Sequence, residues 1–139
     1  MSPEVTKELI EIAGPIFPPL PIDPRQNLMC FGFDCGDGWK KILHECFAAL
    51  RVLKEHGIAP NLGLMQVKEK FGTLRVYLYG EDPYEIAFAV ASHAEHRSSN
   101  TCEDCGDYGT RRGGGWIRTL CDKCCGVEED QEDSDESAS

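Results

Sequence analysis

Residues 102–124 read CEDCGDYGTRRGGGWIRTLCDKC, and the spacing of their cysteines is the strongest structural signal in the chain. The segment contains two Cys-x-x-Cys pairs separated by 15 residues. Each pair turns two thiolates toward one point, and two pairs at this spacing are typical of a tetrahedral zinc site. We predict one Zn2+ ion with four ligands: Cys102, Cys105, Cys121 and Cys124. Because four thiolates complete the tetrahedron, the pattern indicates a structural metal without an open position for catalysis.

The residues between the two pairs predict a short β-hairpin. GTRR and WIRTL have the composition of strands, and the three glycines at 113–115 supply the turn between them. The second pair then opens a helical turn, CDKCC. This order of elements is typical of a treble-clef-like finger: a first Cys-x-x-Cys turn (the knuckle), a hairpin, and a second cysteine pair at the start of a helix.

Charge disfavours nucleic acid as the partner of this finger. The segment LCDKC resembles the LCNxC of GATA-type zinc fingers, which bind DNA through a basic tail after the second pair. In this chain the corresponding residues 128–133 read EEDQED. Phosphate binding needs a clear positive patch, and the acids of the finger match its bases in number. A nucleic-acid binder remains the alternative, and it would use Arg111, Arg112, Trp116 and Arg118.

Two amphipathic patterns upstream of the finger predict the main helices. The first helix follows Asp37, which we expect as its N-cap, and ends before Gly57. Residues 82–85 read DPYE and begin the second helix, with Asp as N-cap and Pro at the first helical position. This second helix is predicted to run to about His96 and to lead directly into the finger.

Between these helices, residues 62–80 predict a β-hairpin that turns at Gly72. Strand alternation separates an apolar face from a face rich in basic and aromatic side chains. We expect five residues to form a ligand-binding face: Lys68, Lys70, Arg75, Tyr77 and Tyr79. An arginine flanked by aromatic rings suits an anionic or nucleotide-like ligand through charge and stacking. An ordinary solvent-facing or helix-covered strand surface is the alternative.

These elements predict an α+β fold, with two main helices packed on a β-hairpin and a C-terminal treble-clef-like zinc finger that has four cysteine ligands. Residues 1–27 are expected to form an N-terminal helix and a proline-rich arm, and residues 28–99 the α+β core. Residues 100–126 are the finger, and residues 127–139 a disordered acidic tail. A chain of 139 residues has room for one such core and one small module.

The acidity is concentrated in the tail. The formal net charge is −10, from 24 acidic and 14 basic residues. Seven of the acids and none of the bases lie in residues 127–139, so the rest of the chain is nearly balanced and charge does not exclude an anionic ligand. The tail suits a solubility role or an acidic lure that mimics nucleic acid. Without an apolar run or a signal-peptide pattern, we expect a cytoplasmic protein that does not bind membranes.

Other residues that carry chemistry form weaker patterns. An enzyme acting on a phosphate-containing substrate would use Asp34, Asp37 or His93, but no catalytic motif surrounds them. We therefore assign no catalytic residue and favour a non-enzymatic protein, with such an enzyme as an open alternative. The remaining cysteines have no assigned role: Cys30, Cys35, Cys46 and Cys125.

Three motifs together resemble a family of small uncharacterised proteins of bacteriophages and prophages. They are CGDGWKKIL from Cys35, VKEKFGTLRVY from Val67, and the cysteine stretch that ends at Cys124. The resemblance implies a phage accessory protein in the cytoplasm of a host cell, and it implies no particular activity. The function we expect is inhibition of a host or defence component, either by binding a protein or by sequestering a nucleotide-like ligand.

Overall fold

The structure, a computed structural model, describes residues 1–80 and 84–126. This part of the chain contains four α-helices and five strands. The helices are α1 (Pro3–Ala13), α2 (Lys40–Glu55), α3 (Tyr84–Ser98) and α4 (Asp122–Cys125). The strands are β1 (Phe33–Asp34), β2 (Gly63–Lys70), β3 (Thr73–Tyr79), β4 (Thr110–Arg112) and β5 (Arg118–Leu120). The predicted α+β class is confirmed, whereas the acidic tail and the predicted caps Asp82 and Pro83 lie outside the described residues.

The helices α1 and α2 form because each carries its apolar residues on one face. The side chain of Ser2 caps α1 and accepts the N–H of Val5. The buried face of α2 packs against α1 and α3 in one hydrophobic core, to which it contributes Ile42, Leu43, Cys46, Phe47 and Leu50. Among the described helices, none is both long and apolar enough for a membrane crossing.

Asp37 is not the N-cap of α2, so that prediction is wrong. A 3-10 turn, Asp37–Trp39, precedes the helix, which then begins at Lys40 without a side-chain cap. Oδ1 of Asp37 instead accepts the backbone N–H of Ser2 at 2.8 Å. The glycines on both sides of Asp37 let the finger approach closely, because a Cβ at Gly36 or Gly38 would lie within 2.4 Å of a carbonyl oxygen of Glu103 or Cys102. The Asp37 carboxylate serves the start of α1 rather than that of its own helix.

The bond from Ser2 makes the stability depend on pH. It holds the pKa of the Asp37 carboxyl below its usual value of 3.8. Because the folded pKa is the lower one, this stabilisation is complete above the unfolded pKa and is lost as the pH falls through the folded value. We expect wild-type protein to be more stable than Asp37→Asn at pH 7, and the difference to shrink at pH 3. Urea unfolding at both pH values measures the difference in free energy of unfolding between the two proteins. A difference that does not change with pH would contradict the role given to the charged Asp37 carboxylate.

The larger sheet has the strand order β1-β2-β3, with β1 parallel and β3 antiparallel to β2. A bulge between Leu64 and Gln66 shifts the register of β2, so Leu64 and Val67 are both buried although they are three residues apart. The helix α3 packs along β3, and the N–H of Leu74 donates to the buried hydroxyl of Ser98 at 2.8 Å.

The finger is fixed against this core by direct hydrogen bonds. The N–H of Gly38 donates to the carbonyl of Glu103 at 2.7 Å. The hydroxyl of Thr119, on β5, donates to the carbonyl of Gly72 in the hairpin turn at 2.6 Å. Both Glu103 and Thr119 are buried. The start of α2 and the tip of the β2–β3 hairpin therefore hold the finger from two sides.

Candidate metal centre

The four cysteines of the two Cys-x-x-Cys pairs meet in the finger. Their sulfur atoms all lie within 4.8 Å of one another, and the Sγ atoms of Cys105 and Cys121 are 3.6 Å apart. A tetrahedral zinc–thiolate site with bonds of ~2.3 Å has sulfur–sulfur edges of about 3.8 Å. The geometry therefore fits a metal ion held by four cysteines, in agreement with the sequence prediction. Within the described residues it is the one cluster of potential ligands with such spacing.

Backbone hydrogen bonds shape both halves of the site. In the first pair, the N–H of Gly106 donates to the carbonyl of Cys102 at 2.9 Å, and Gly106 has a φ of +88° that a side chain would strain. In the second pair, Cys121 caps α4, and its sulfur accepts the N–H of Cys124 at 3.3 Å. Each pair thus turns its two sulfurs toward one centre.

The electrostatics of the site favour a thiolate at Cys102. Burial alone would raise the pKa of this thiol, but backbone N–H groups of Cys121, Cys105 and Asp104 outweigh it and lower the pKa to about 7. Bonding to the Cys121 thiol, by contrast, raises the pKa of Cys124. The fold therefore favours the thiolate of Cys102 before any metal binds, and because zinc is held by deprotonated cysteines, metal binding would be accompanied by proton release.

Glu103 is the residue of this region that sequence reasoning missed. It lies between the first two cysteines and is only 5% exposed. Its Oε2 accepts the N–H of Gly36 at 2.9 Å, and its Oε1 lies 3.5 Å from the guanidinium of Arg118. Burial raises the pKa of this carboxyl, although both contacts oppose that effect. The sequence shows only a charged residue between two cysteines of a metal site. It does not reveal that the partner of Glu103 is Gly36, 67 positions away.

Two of the four bases of the finger are already paired with its acids. Arg112 bonds Asp122 at 2.7 Å, and Arg118 bonds Asp104 at 2.7 Å. Two of the four residues that a nucleic-acid binder would use are thus neutralised locally, while Arg111 and Trp116 are exposed. A phosphate contact through Arg112 or Arg118 would first have to break these ion pairs.

The hairpin brings the five predicted ligand-binding residues to one face. In the register of β2 and β3, Lys68 lies opposite Arg75, and Lys70 lies opposite Thr73. Residues paired in this way point to the same side of a sheet. Tyr77 and Tyr79 follow Arg75 at two-residue steps on the same side, and each is about one third exposed, at 37% and 36%.

Neighbouring acids partly balance this face. The Nε atom of Arg75 donates to the Thr73 hydroxyl at 3.2 Å and lies 3.9 Å from the carboxylate of Glu95 on α3. On the other side, Asp34 of β1 pairs in register with Lys68. Two acids therefore accompany the three cations of the face.

The remaining candidates have separate surroundings. Asp37 is engaged by Ser2, and Asp34 is exposed on the edge strand β1. His93 is exposed beside a groove between α2 and α3. Burial raises the pKa of both the Cys35 and the Cys46 thiol to about 12, so these two cysteines stay protonated at neutral pH.

Comparison with known proteins does not extend this picture. The chain matches no family model, no curated protein and no solved structure. The resemblance to phage proteins therefore stays a prediction, together with the cellular setting that it implies. Any functional assignment has to stand on the geometry of the sites.

Proposed function

We propose that the protein is a non-catalytic binding protein whose finger is folded around one structural Zn2+ ion. Zinc is the ion that best suits four thiolates in a tetrahedron. A structural role is supported by the completeness of this ligand set and by the full burial of Cys102. The hydrogen bonds that join the finger to α2 and to the hairpin turn mean that a metal-ordered finger would also order part of the core.

The outward face of the β2–β3 hairpin is the proposed contact surface. The observation that carries this proposal is the cross-strand pair of Lys68 and Arg75, two cations directly opposite each other. Like charges in this position destabilise a sheet. Asp34 and Glu95 flank the pair, but the face still carries three cations against these two acids, so a bound anionic group would balance the remaining charge. Tyr77 lies next to the pair and offers a ring for stacking.

The proposed partner presents an anionic group, either on a host protein or on a nucleotide-like small molecule. By binding that anionic group, the hairpin face would block the partner and inhibit it without any chemical step. The host setting rests on the resemblance to phage proteins alone, and the contact surface rests on the charges and rings of the hairpin.

Replacing Arg75 by alanine is expected to weaken binding strongly while leaving the protein folded. Loss of a charge-assisted hydrogen bond weakens binding by about tenfold or more. The test captures ligands from bacterial lysate on immobilised wild-type and Arg75→Ala protein and identifies proteins and small molecules by mass spectrometry. Arg25→Ala is the matched control, because Arg25 is an exposed arginine that is paired with Asp23 and is not part of the β2–β3 hairpin.

The proposal expects a partner that wild type and Arg25→Ala retain and Arg75→Ala loses, with equal melting temperatures for the three proteins. Equal capture by Arg75→Ala would contradict the proposed surface. Loss of folding in this variant would instead give Arg75 a structural role through Thr73 and Glu95.

A further inference from the structure

An apolar groove of about 600 Å3 lies between α2 and α3. Its apolar wall is built from Ile42, Cys46, Ala49, Ile86, Ala89 and Val90. This volume is within the range of clefts that hold small ligands, about 300–1,000 Å3. Small alanines on both helices give the groove its depth, and Ile86 remains 47% exposed. The groove belongs neither to the finger nor to the hairpin face.

A basic cavity of about 360 Å3 continues this groove at one end. The two share Ile42 and Arg97, so Arg97 stands at their junction. Lys40 and Lys41 line the basic cavity, and within the described residues neither lysine forms an ion pair.

The acids near these cavities indicate the orientation of a ligand. Asp37, in the basic cavity, already accepts the N–H of Ser2. Glu45 is held by Arg97 at the junction. Glu85 lines the groove 12 residues before Arg97 on the same helix, which corresponds to roughly 18 Å. Three cations, two of them without a direct ion pair, thus lie at one end of the groove, and an acid lies at the other.

From this arrangement we propose that the groove binds an amphipathic anion, a single apolar chain with a carboxylate or phosphate head. The chain lies between α2 and α3, and the head lies at the junction against Arg97 and Lys41. The negative end at Glu85 repels the head and fixes this orientation. The ligand is a monomeric amphiphile, because the groove is a single cavity with one cationic end. This site is independent of the hairpin surface.

Glu45 gives the proposal a distinctive consequence. Its bond to Arg97 lowers the pKa of Glu45, so both side chains are charged at neutral pH. A ligand head therefore competes with the Glu45 carboxylate for the guanidinium. Removing the charge of Glu45 should strengthen binding, which a purely structural ion pair would not do.

The test titrates the full-length protein with dodecanoate below its critical micelle concentration, by calorimetry. We expect one site per chain, with affinity rising about fourfold per methylene from octanoate to dodecanoate. Arg97→Gln should weaken binding about tenfold, and Glu45→Gln should tighten it about threefold. Glu55→Gln is the matched control, because Glu55 is an acid of the same helix in an ion pair with Arg51, and it should bind as wild type does.

A steric pair of variants tests the location. Ala49→Phe fills the groove and should weaken binding at least tenfold, whereas Ala48→Phe on the neighbouring exposed position should leave it unchanged. Absence of dodecanoate binding would overturn the proposal, as would stronger binding of dodecyltrimethylammonium. Binding to anionic phospholipid vesicles without binding of monomeric dodecanoate would also overturn it. If Ala49→Phe does not fold, the opposite changes in dodecanoate affinity of Arg97→Gln and Glu45→Gln still test the proposal. Equal affinities in these two variants would overturn it.

Discussion

Replacing Cys102 by serine is expected to release the metal and unfold the finger. Cys102 is fully buried, and three backbone N–H groups stabilise its thiolate, whereas a serine hydroxyl remains protonated and binds zinc poorly. Structural zinc contributes about 10–16 kcal/mol of folding free energy in zinc-finger peptides. Because a whole domain is stable by only about 5–15 kcal/mol, the loss should also loosen the turn before α2, where Gly36 and Gly38 bond Glu103. Metal content and thermal unfolding of the purified variant measure both effects.

Cys125→Ser is the matched control for this variant. Cys125 directly follows a ligand, but it is not part of the four-sulfur cluster, and its thiol donates to the carbonyl of Asp122 at 3.5 Å. The control should keep one metal ion per chain and change the free energy of unfolding by less than about 1 kcal/mol. Full metal content in Cys102→Ser, or equal loss in both variants, would contradict the ligand assignment.

Replacing Gly38 by alanine is expected to separate the finger from the core. An added Cβ would lie 2.2 Å from the carbonyl oxygen of Cys102 and 2.6 Å from that of Glu103. Both are backbone atoms, so the clash can be relieved only by moving the metal knuckle away from the start of α2. Overpacking of this kind costs about 3 kcal/mol or more. We expect the melting temperature to fall by at least about 10 °C.

Gly113→Ala is the control for Gly38→Ala. No heavy atom lies within 4 Å of a Cβ placed at Gly113, and its φ is not in the left-handed region. This variant should unfold within a few degrees of wild type. A Gly38→Ala protein as stable as the control would show that the finger does not depend on its contact with α2.

Local patterns were sufficient to predict most of the elements. The apolar residues of α2 recur at helical spacing within its 16 residues. The turn between β2 and β3 takes only two residues, and each cysteine pair spans four. Each of these signals depends on neighbours in sequence, so periodicity and spacing identify them. The four-cysteine cluster was predictable because both of its halves are Cys-x-x-Cys pairs.

Contacts between distant segments were not predictable in this way. The bonds from Gly36 and Gly38 to Glu103 join segments more than 60 residues apart, and nothing in the sequence pairs them. They also explain why Asp37 is not a helix cap, since the turn around it is shaped by the finger and by Ser2. The strand β1 was missed because two residues beside β2 have no periodicity of their own.

The helix α3 shows a different limit of sequence patterns. Residues 86–91 are apolar at six successive positions, so apolar character does not show which side of the helix is covered. In the structure Ala87 and Ala91 are buried, whereas Ile86 remains about half exposed. The groove between α2 and α3 becomes visible only when both helices are in place.

The metal content of the folded protein decides whether the finger is built around a zinc ion. Native mass spectrometry of the purified chain should show one zinc ion per chain, and the ion should be lost together with the folded finger when the protein is denatured. A folded protein that carries no metal, with the four sulfurs still gathered around Cys102, would contradict the structural role assigned to zinc.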